Sequence, residues 1–263
     1  IKDDVSYVEA SGLVGNDTLD DIKLTAKGTL SVSGDSYIEV SNAVVVDAND
    51  RNVTGNYDIT YVSGDLTVKA KDLNSSDISG EIEGGMPEGG YEYTGEEIKP
   101  DVVIKDGDKV LEEGKDYVVD YDDNINVGPS GDNIPTIIIT GSGDYSGEIE
   151  IEFIIKAKDV TITAKPQEII FGEDIATGID KVTHSELASD HVLSGITLEV
   201  EGPATVNGES FVVPSEAVIK DGEVNVTGNY NITYVKASLT VNAKELTTGD
   251  IDVKISGDSF EYI

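Results

Sequence analysis

The sequence predicts a mainly β chain of tandem, elongated β-rich modules with little helix. Three observations carry that expectation. The segment Asn52 to Leu73 returns as Asn225 to Leu246 with 16 of 22 positions identical, a true internal duplication. Within each copy, apolar and polar residues alternate with a period of two. Clusters of Gly, Asp and Asn interrupt those runs, as the turns of an all-β chain require.

Upstream of the duplicated motif the match continues one residue out of step, from Leu13 against Leu187 to Ala43 against Ala217, which places Ile1 opposite Ile175. The second copy opens near Asp159, and the first has no counterpart for that opening stretch. Four segments result. Residues 1–71 form a first A module, truncated at its N-terminus, and residues 72–157 form a B module. Residues 158–245 form a second A module. Residues 246–263 begin a second B module, with Phe260-Glu-Tyr262 echoing Tyr91-Glu-Tyr93. An opening Ile in place of Met is expected of an excised or processed piece.

In chain order, Leu13–Leu19 and its copy Leu187–Leu193 are the only helix candidates, too short to stand without packing. Tyr57, Ile59 and Tyr61 alternate with polar neighbours, and Leu66, Val68 and Ala70 do the same beyond Ser63-Gly64-Asp65. That pattern predicts a β-hairpin, whose turn does not demand glycine because Ala237 replaces Gly64 in the copy. Module B offers strands at Asp101–Lys105, Tyr117–Tyr121, Thr136–Thr140 and Glu148–Ile155. Val160, Ile162 and Ala164 alternate with Thr161 and Thr163 as a strand that only the second A copy possesses. The first copy should therefore present an edge that something covers. Residues preceding Ile1 in a parent chain, or a strand donated by a neighbouring subunit such as Leu246–Ile263, are the expected covers.

Composition excludes several classes. With 18 Lys plus Arg against 52 Asp plus Glu, the net charge is −34, which repels nucleic-acid phosphates and anionic lipid surfaces. The absence of Cys excludes disulfides, thiolate metal sites and Cys nucleophiles. No apolar run approaches the roughly 18 residues that span a bilayer.

The A module, closing on Asn-Val-Thr-Gly-Asn-Tyr-x-Ile-Thr-Tyr-Val and Leu-Thr-Val, resembles the MBG ("mostly bacterial β-grasp") repeats of large bacterial surface proteins. Its Ile170-Phe171-Gly172-Glu173-Asp174 turn lacks the Tyr and Pro usual there. The B module carries Tyr93-Thr94-Gly95, Gly114-Lys115-Asp116-Tyr117 and Gly141-Ser-Gly-Asp-Tyr145-Ser-Gly147. It is similar to a β-sandwich-like, Ig-like repeat of Gram-positive secreted and wall-attached proteins. The resemblance implies β-grasp-like modules alternating with sandwich-like ones in an extracellular, cell-surface adhesin or stalk.

Residues that could carry chemistry are few. Asp120, Asp122 and Asn124 have the D-x-D-x-N spacing of a calcium loop, but Ile125 and Gly131 stand where an EF-hand needs Gly and Glu. A weak Ca²⁺ site there is weighed against a turn with solvated aspartates, and no other cofactor is expected. His184 and His191 align with Ala10 and Asp17 and read as surface histidines. Tyr57, Tyr61, Tyr230, Tyr234, Tyr117 and Tyr121 read as packing residues whose hydroxyls reach the surface, with a sugar-stacking platform as the alternative. Lys71 and Lys244 read as solvated linker lysines against a role in Lys–Asn isopeptide bonds. The Asn-x-Thr sequons at Asn16, Asn52, Asn225 and Asn231 are incidental in a bacterial protein.

The expected function is thus non-catalytic: a stalk, spacer or fibre-forming segment whose partners are neighbouring repeats or fibre subunits. The alternative is a ligand-binding adhesin module recognising a glycoconjugate or a host protein. Neither nucleic acid nor membrane insertion is expected.

Overall fold

Strands supply almost all the regular structure in the computed structural model, which describes residues 1–128 and 134–251. Helical content among the described residues is limited to four three-residue 3₁₀ turns. Packing gathers the chain into two units. The first comprises residues 1–85, 100–122 and 136–152, and the second residues 86–99, 123–135 and 153 onward.

In the first unit β1 (Thr18–Lys27) and β2 (Tyr37–Val46) form a long antiparallel pair, with β3 (Gly64–Asp65) on the outer edge of β2. The short β4 (Lys71–Asp72) lies parallel to β11 (Tyr145–Ser146). Two three-stranded antiparallel sheets follow. One joins β5 (Ile78–Ile82), β7 (Val102–Asp106) and β8 (Lys109–Val110), and the other joins β9 (Tyr117–Asp122), β10 (Thr136–Gly141) and β12 (Glu148–Glu152). Ile104, Ile137 and Ile139 are fully buried in this unit. Gly80 on β5 stands against Ile104, Ile149 and Ile151, so no side chain fits there without displacing them.

The second unit opens with β6 (Tyr91–Glu92), parallel to β13 (Ile155–Lys156). Tyr91 meets Phe153 edge to face at 5.9 Å. Next come β14 (Lys158–Ala164), β15 (Gln167–Ile170), β16 (Val182–His184), β17 (Val192–Glu201), β18 (Ser210–Asp221), β19 (Val224–Asn225), β20 (Tyr230–Val235) and β21 (Ala237–Asn242). One sheet runs β16-β14-β20, and the other runs β15-β21-β18-β17 with β19 on β18. Val160, Ile162 and Ala164 are buried while Asp159 and Thr161 are exposed, the alternation that the sequence displays.

The two copies share their internal geometry. Thr18 pairs with Val46 as Val192 pairs with Lys220, and the register shifts at Leu19, Asp21 and Lys23 recur at Leu193, Gly195 and Thr197. Asn42 and Glu216, in equivalent places, both have positive φ, at 53° and 50°. Gly28 and Gly202 also correspond, with φ of +90° and +109°. A Cβ on either would strike a backbone carbonyl, that of Asp35 or of Glu209, so both positions require glycine.

Two expectations are corrected. Leu13–Leu19 and Leu187–Leu193 form turns running into strands, with Gly15 at φ +64° and Ser189 at +44° ending any helical path. The hairpin of Tyr57–Tyr61 with Leu66–Ala70 does not form either: Gly64 and Asp65 of its expected turn pair with β2, and the second copy shows the reason. β20 and β21 are joined through Lys236 alone, and the chain passes from one sheet to the other. Each strand then takes a parallel partner, β14 for β20 and β15 for β21. Alternation fixes which face a strand buries but not which neighbour it pairs with.

Candidate functional site

The duplicated motif is a polar scaffold built twice. Asn225 Oδ1 accepts the Thr227 amide hydrogen at 3.0 Å, and Thr227 Oγ1 accepts that of Ile219 at 2.8 Å. These bonds pin a 3₁₀ turn, Thr227–Asn229, onto β18. The first copy repeats both bonds: Asn52 Oδ1 accepts the Thr54 amide hydrogen at 3.0 Å, and Thr54 Oγ1 accepts that of Val45 at 2.8 Å. The Tyr234 hydroxyl accepts the Ala217 amide hydrogen at 2.9 Å, and that of Tyr61 accepts the Ala43 amide hydrogen at 3.0 Å. Likewise Tyr230 holds the Ala188 amide at 3.0 Å and Tyr57 the Val14 amide at 3.1 Å. Asn52 and Asn225 are therefore structural residues, and these tyrosine hydroxyls are tied to backbone amides, while the Tyr61 and Tyr234 residues remain exposed.

The copies differ in what these tyrosines touch next. Tyr57 donates to Asp17 at 2.6 Å, and this bond raises the phenol pKa. Tyr230 instead meets Nδ1 of His191 at 2.7 Å, and burial is the main cause of its raised pKa. Around Tyr230 the second unit is filled. Tyr93 packs edge-on at 5.7 Å, and Asn229 is held by Asn126 and by the Val127 amide, both at 2.9 Å. Asn56, the equivalent of Asn229, is exposed.

A larger difference adjoins Tyr57. In the second unit β14 lies between β16 and β20, parallel to β20 over six residue pairs. The first-copy equivalents of those flanking strands are Val8–Ala10 and Tyr57–Val62. Among the described residues no strand pairs with Tyr57–Val62. A groove of about 420 Å³ opens there instead, lined by Leu19, Ile22, Val45, Tyr57, Ile59 and Tyr61 among others. A second recess of about 250 Å³ lies beside Leu24, Val62 and Gly64. The groove is the candidate site, bordered by the first-copy equivalents of β16 and β20.

Other sequence-derived candidates lie elsewhere. Asp120 and Asp122 are exposed on β9 in the first unit, opposite Ile138 and Thr136 of β10. Asn124, in the second unit, is buried; its Nδ2 donates to the Ile98 carbonyl at 3.1 Å, and its own carbonyl accepts the Ile98 amide hydrogen at 2.8 Å. Gly131, of the same loop, lies outside the described residues, as does the Phe260–Tyr262 echo. Among the described residues no group of three or more His, Asp or Glu is arranged to hold a metal ion.

His184 is exposed as expected. His191 is not a surface residue, being buried between Tyr93 and Tyr230. The alignment of His191 with Asp17, two side chains able to bond a phenol, was the signal for this role. Lys71 is not a free linker lysine either. Its ammonium lies 2.6 Å from Asp106 and 2.8 Å from Asp77, and these hydrogen bonds raise its pKa. Amide formation needs a neutral amine, so this pairing opposes the isopeptide chemistry considered for it. Lys244 is exposed.

No protein-family model matches the chain, and no curated protein shows significant similarity to it. No helix among the described residues is long and apolar enough to cross a membrane.

Proposed function

We propose that this chain is a non-catalytic repeat region of a bacterial cell-surface protein, a stalk or spacer or a fibre-forming adhesin segment. The observation that supports it is the parallel pairing of β14 with β20. The second A module begins at Lys158 on β14 and ends through β20 and β21. Tension applied at those two ends acts along the β14–β20 ladder and not across it. Its hydrogen bonds must then break together, whereas strands pulled apart from one end lose them singly. The anchored tyrosine hydroxyls support packing over sugar stacking for these side chains.

Single-molecule pulling on the whole chain tests the reading. We expect a distinct high-force event releasing about 250 Å of chain, the extended length of Lys158–Asn242 less a folded span of some tens of ångströms. Uniformly low-force unfolding, with saturable binding to arrayed glycans, would favour the ligand-binding adhesin reading.

A further inference from the structure

We propose that the passage from the first A module into module B, which lies within the first unit, is a salt-sensitive ionic latch. The Lys71 ammonium locks the exit strand β4 onto β11, and screening of its charge lets that strand open.

The fold brings the parts of the latch to one spot. Residues 71–73 leave the A module as Lys-Asp-Leu, and module B meets them with the Gly141–Gly147 turn. Asp144 of that turn grips the A module twice. Its carbonyl accepts the Lys71 amide hydrogen at 2.9 Å, and its carboxylate accepts that of Val32, on the connection between β1 and β2, at 2.7 Å. The Ser146 carbonyl accepts the Leu73 amide hydrogen at 2.8 Å, and the Leu73 side chain is buried. Because β4 pairs with β11 over two residues only, its own ladder is short, and side-chain contacts decide how firmly it is held.

Those contacts are ionic. Lys71 lies 2.6 Å from Asp106 on β7 and 2.8 Å from Asp77. Asp106 also accepts the Tyr145 hydroxyl at 3.0 Å, that hydroxyl accepts a hydrogen bond from Lys109 at 3.2 Å, and Lys109 stands 3.5 Å from Asp116. Charge therefore alternates from Asp77 through Lys71, Asp106 and Lys109 to Asp116, and ties β4 to β7, β8 and β11. Side-chain exposures of 34% for Lys71, 22% for Asp106 and 61% for Asp77 leave the network open to dissolved ions. Without the ammonium's charge, Asp77 and Asp106 remain as neighbouring like charges in an acidic chain.

The passage from module B into the second A module, inside the second unit, is held by other means. Asn229 joins Asn126 and Val127 there, and Tyr93 packs on Tyr230. An ion pair of Lys158 with Glu92 lies at 3.1 Å in the same unit, but the bonds at Asn229 are neutral and leave salt little to screen. Salt also relieves the self-repulsion of a −34 chain and so stabilises the molecule as a whole. Its effect on the latch has the opposite sign. The latch stands independently of the function proposed above.

Hydrogen exchange on the whole chain tests it at about 0.01 M and about 1 M NaCl, between which the screening length falls from about 30 Å to about 3 Å. The Lys71 and Leu73 amides should exchange about threefold or more faster at the higher salt, while those of Ile137–Ile139 and Val127 should not accelerate. Lys71→Met should make the first two amides exchange fast at both salts. Asp77→Asn, at the more exposed partner, should reduce the salt response. Absence of acceleration at Lys71 and Leu73 in the parent chain overturns the proposal. So does a salt response that survives in full in either variant.

Discussion

Tyr230 and His191 are joined by a 2.7 Å hydrogen bond, and the same hydroxyl accepts the Ala188 amide hydrogen at 3.0 Å. One phenol oxygen thus satisfies a backbone group and orients a buried imidazole. Tyr230→Phe leaves the buried Ala188 amide without that acceptor, at a cost of about 1–3 kcal/mol. Tyr57→Phe removes the equivalent bonds at a more exposed position and should cost less. Urea denaturation of both variants, followed by unit-specific NMR signals, measures the difference.

Gly202→Ala should destabilise far more than Gly195→Ala. A Cβ at Gly202 would come within 2.5 Å of the Glu209 carbonyl at a φ of +109°, whereas at Gly195 the nearest neighbour is Val218 Cβ at 3.4 Å. Backbone strain of this kind costs about 1–3 kcal/mol. Comparison of denaturation midpoints at constant m-value checks it.

Ile162→Ala removes a fully buried side chain from the centre of β14. The loss should be about 2–5 kcal/mol. Thr161→Ala, on the exposed face of the same strand, should lie within about 0.5 kcal/mol of the parent. Similar losses for the two variants would contradict the assignment of faces.

Hydrogen bonds from Arg51 and from the Asn49 and Arg51 amides lower the Asp47 pKa from 3.8 to about 2. A depressed carboxylate contributes stability that is fully present above pH 3.8 and is lost as pH falls toward 2. Carbon-detected NMR should place the Asp47 midpoint near 2. Arg51→Ala should move it upward.

Monovalent salt should raise the melting temperature. A net charge of −34 on 263 residues repels itself in the folded state, and added ions screen that repulsion. A melting temperature unchanged between low and moderate NaCl concentrations would count against this.

Much of the fold was legible where a local pattern decides the outcome. Val160, Ile162 and Ala164 announce a half-buried strand, and the four runs of module B lie within a residue or so of observed strands, apart from a break at Phe153–Ile154. The partner of Tyr230–Val235 was not legible, because a nearby run looks like a hairpin arm while the true partner lies far upstream. The burial of His191 depends on Tyr93, which a local reading does not bring near it. The walls of the groove were legible in outline, since the duplication aligns Val8–Ala10 and Tyr57–Val62 with strands of the second copy. Its floor of Leu19, Ile22 and Val45 required the fold.

The β14–β20 ladder also sets an order of events during synthesis. Lys158 pairs with Tyr230, 72 residues later in the chain, so β14 leaves the ribosome well before its partner exists. Pairings of such separation form slowly, and until then Val160, Ile162 and Ala164 face solvent. The second A module should therefore be the slower to fold and the more prone to intermolecular capture while it waits. Refolding yield should fall as protein concentration rises, and a chaperone that shields extended apolar strands should restore it.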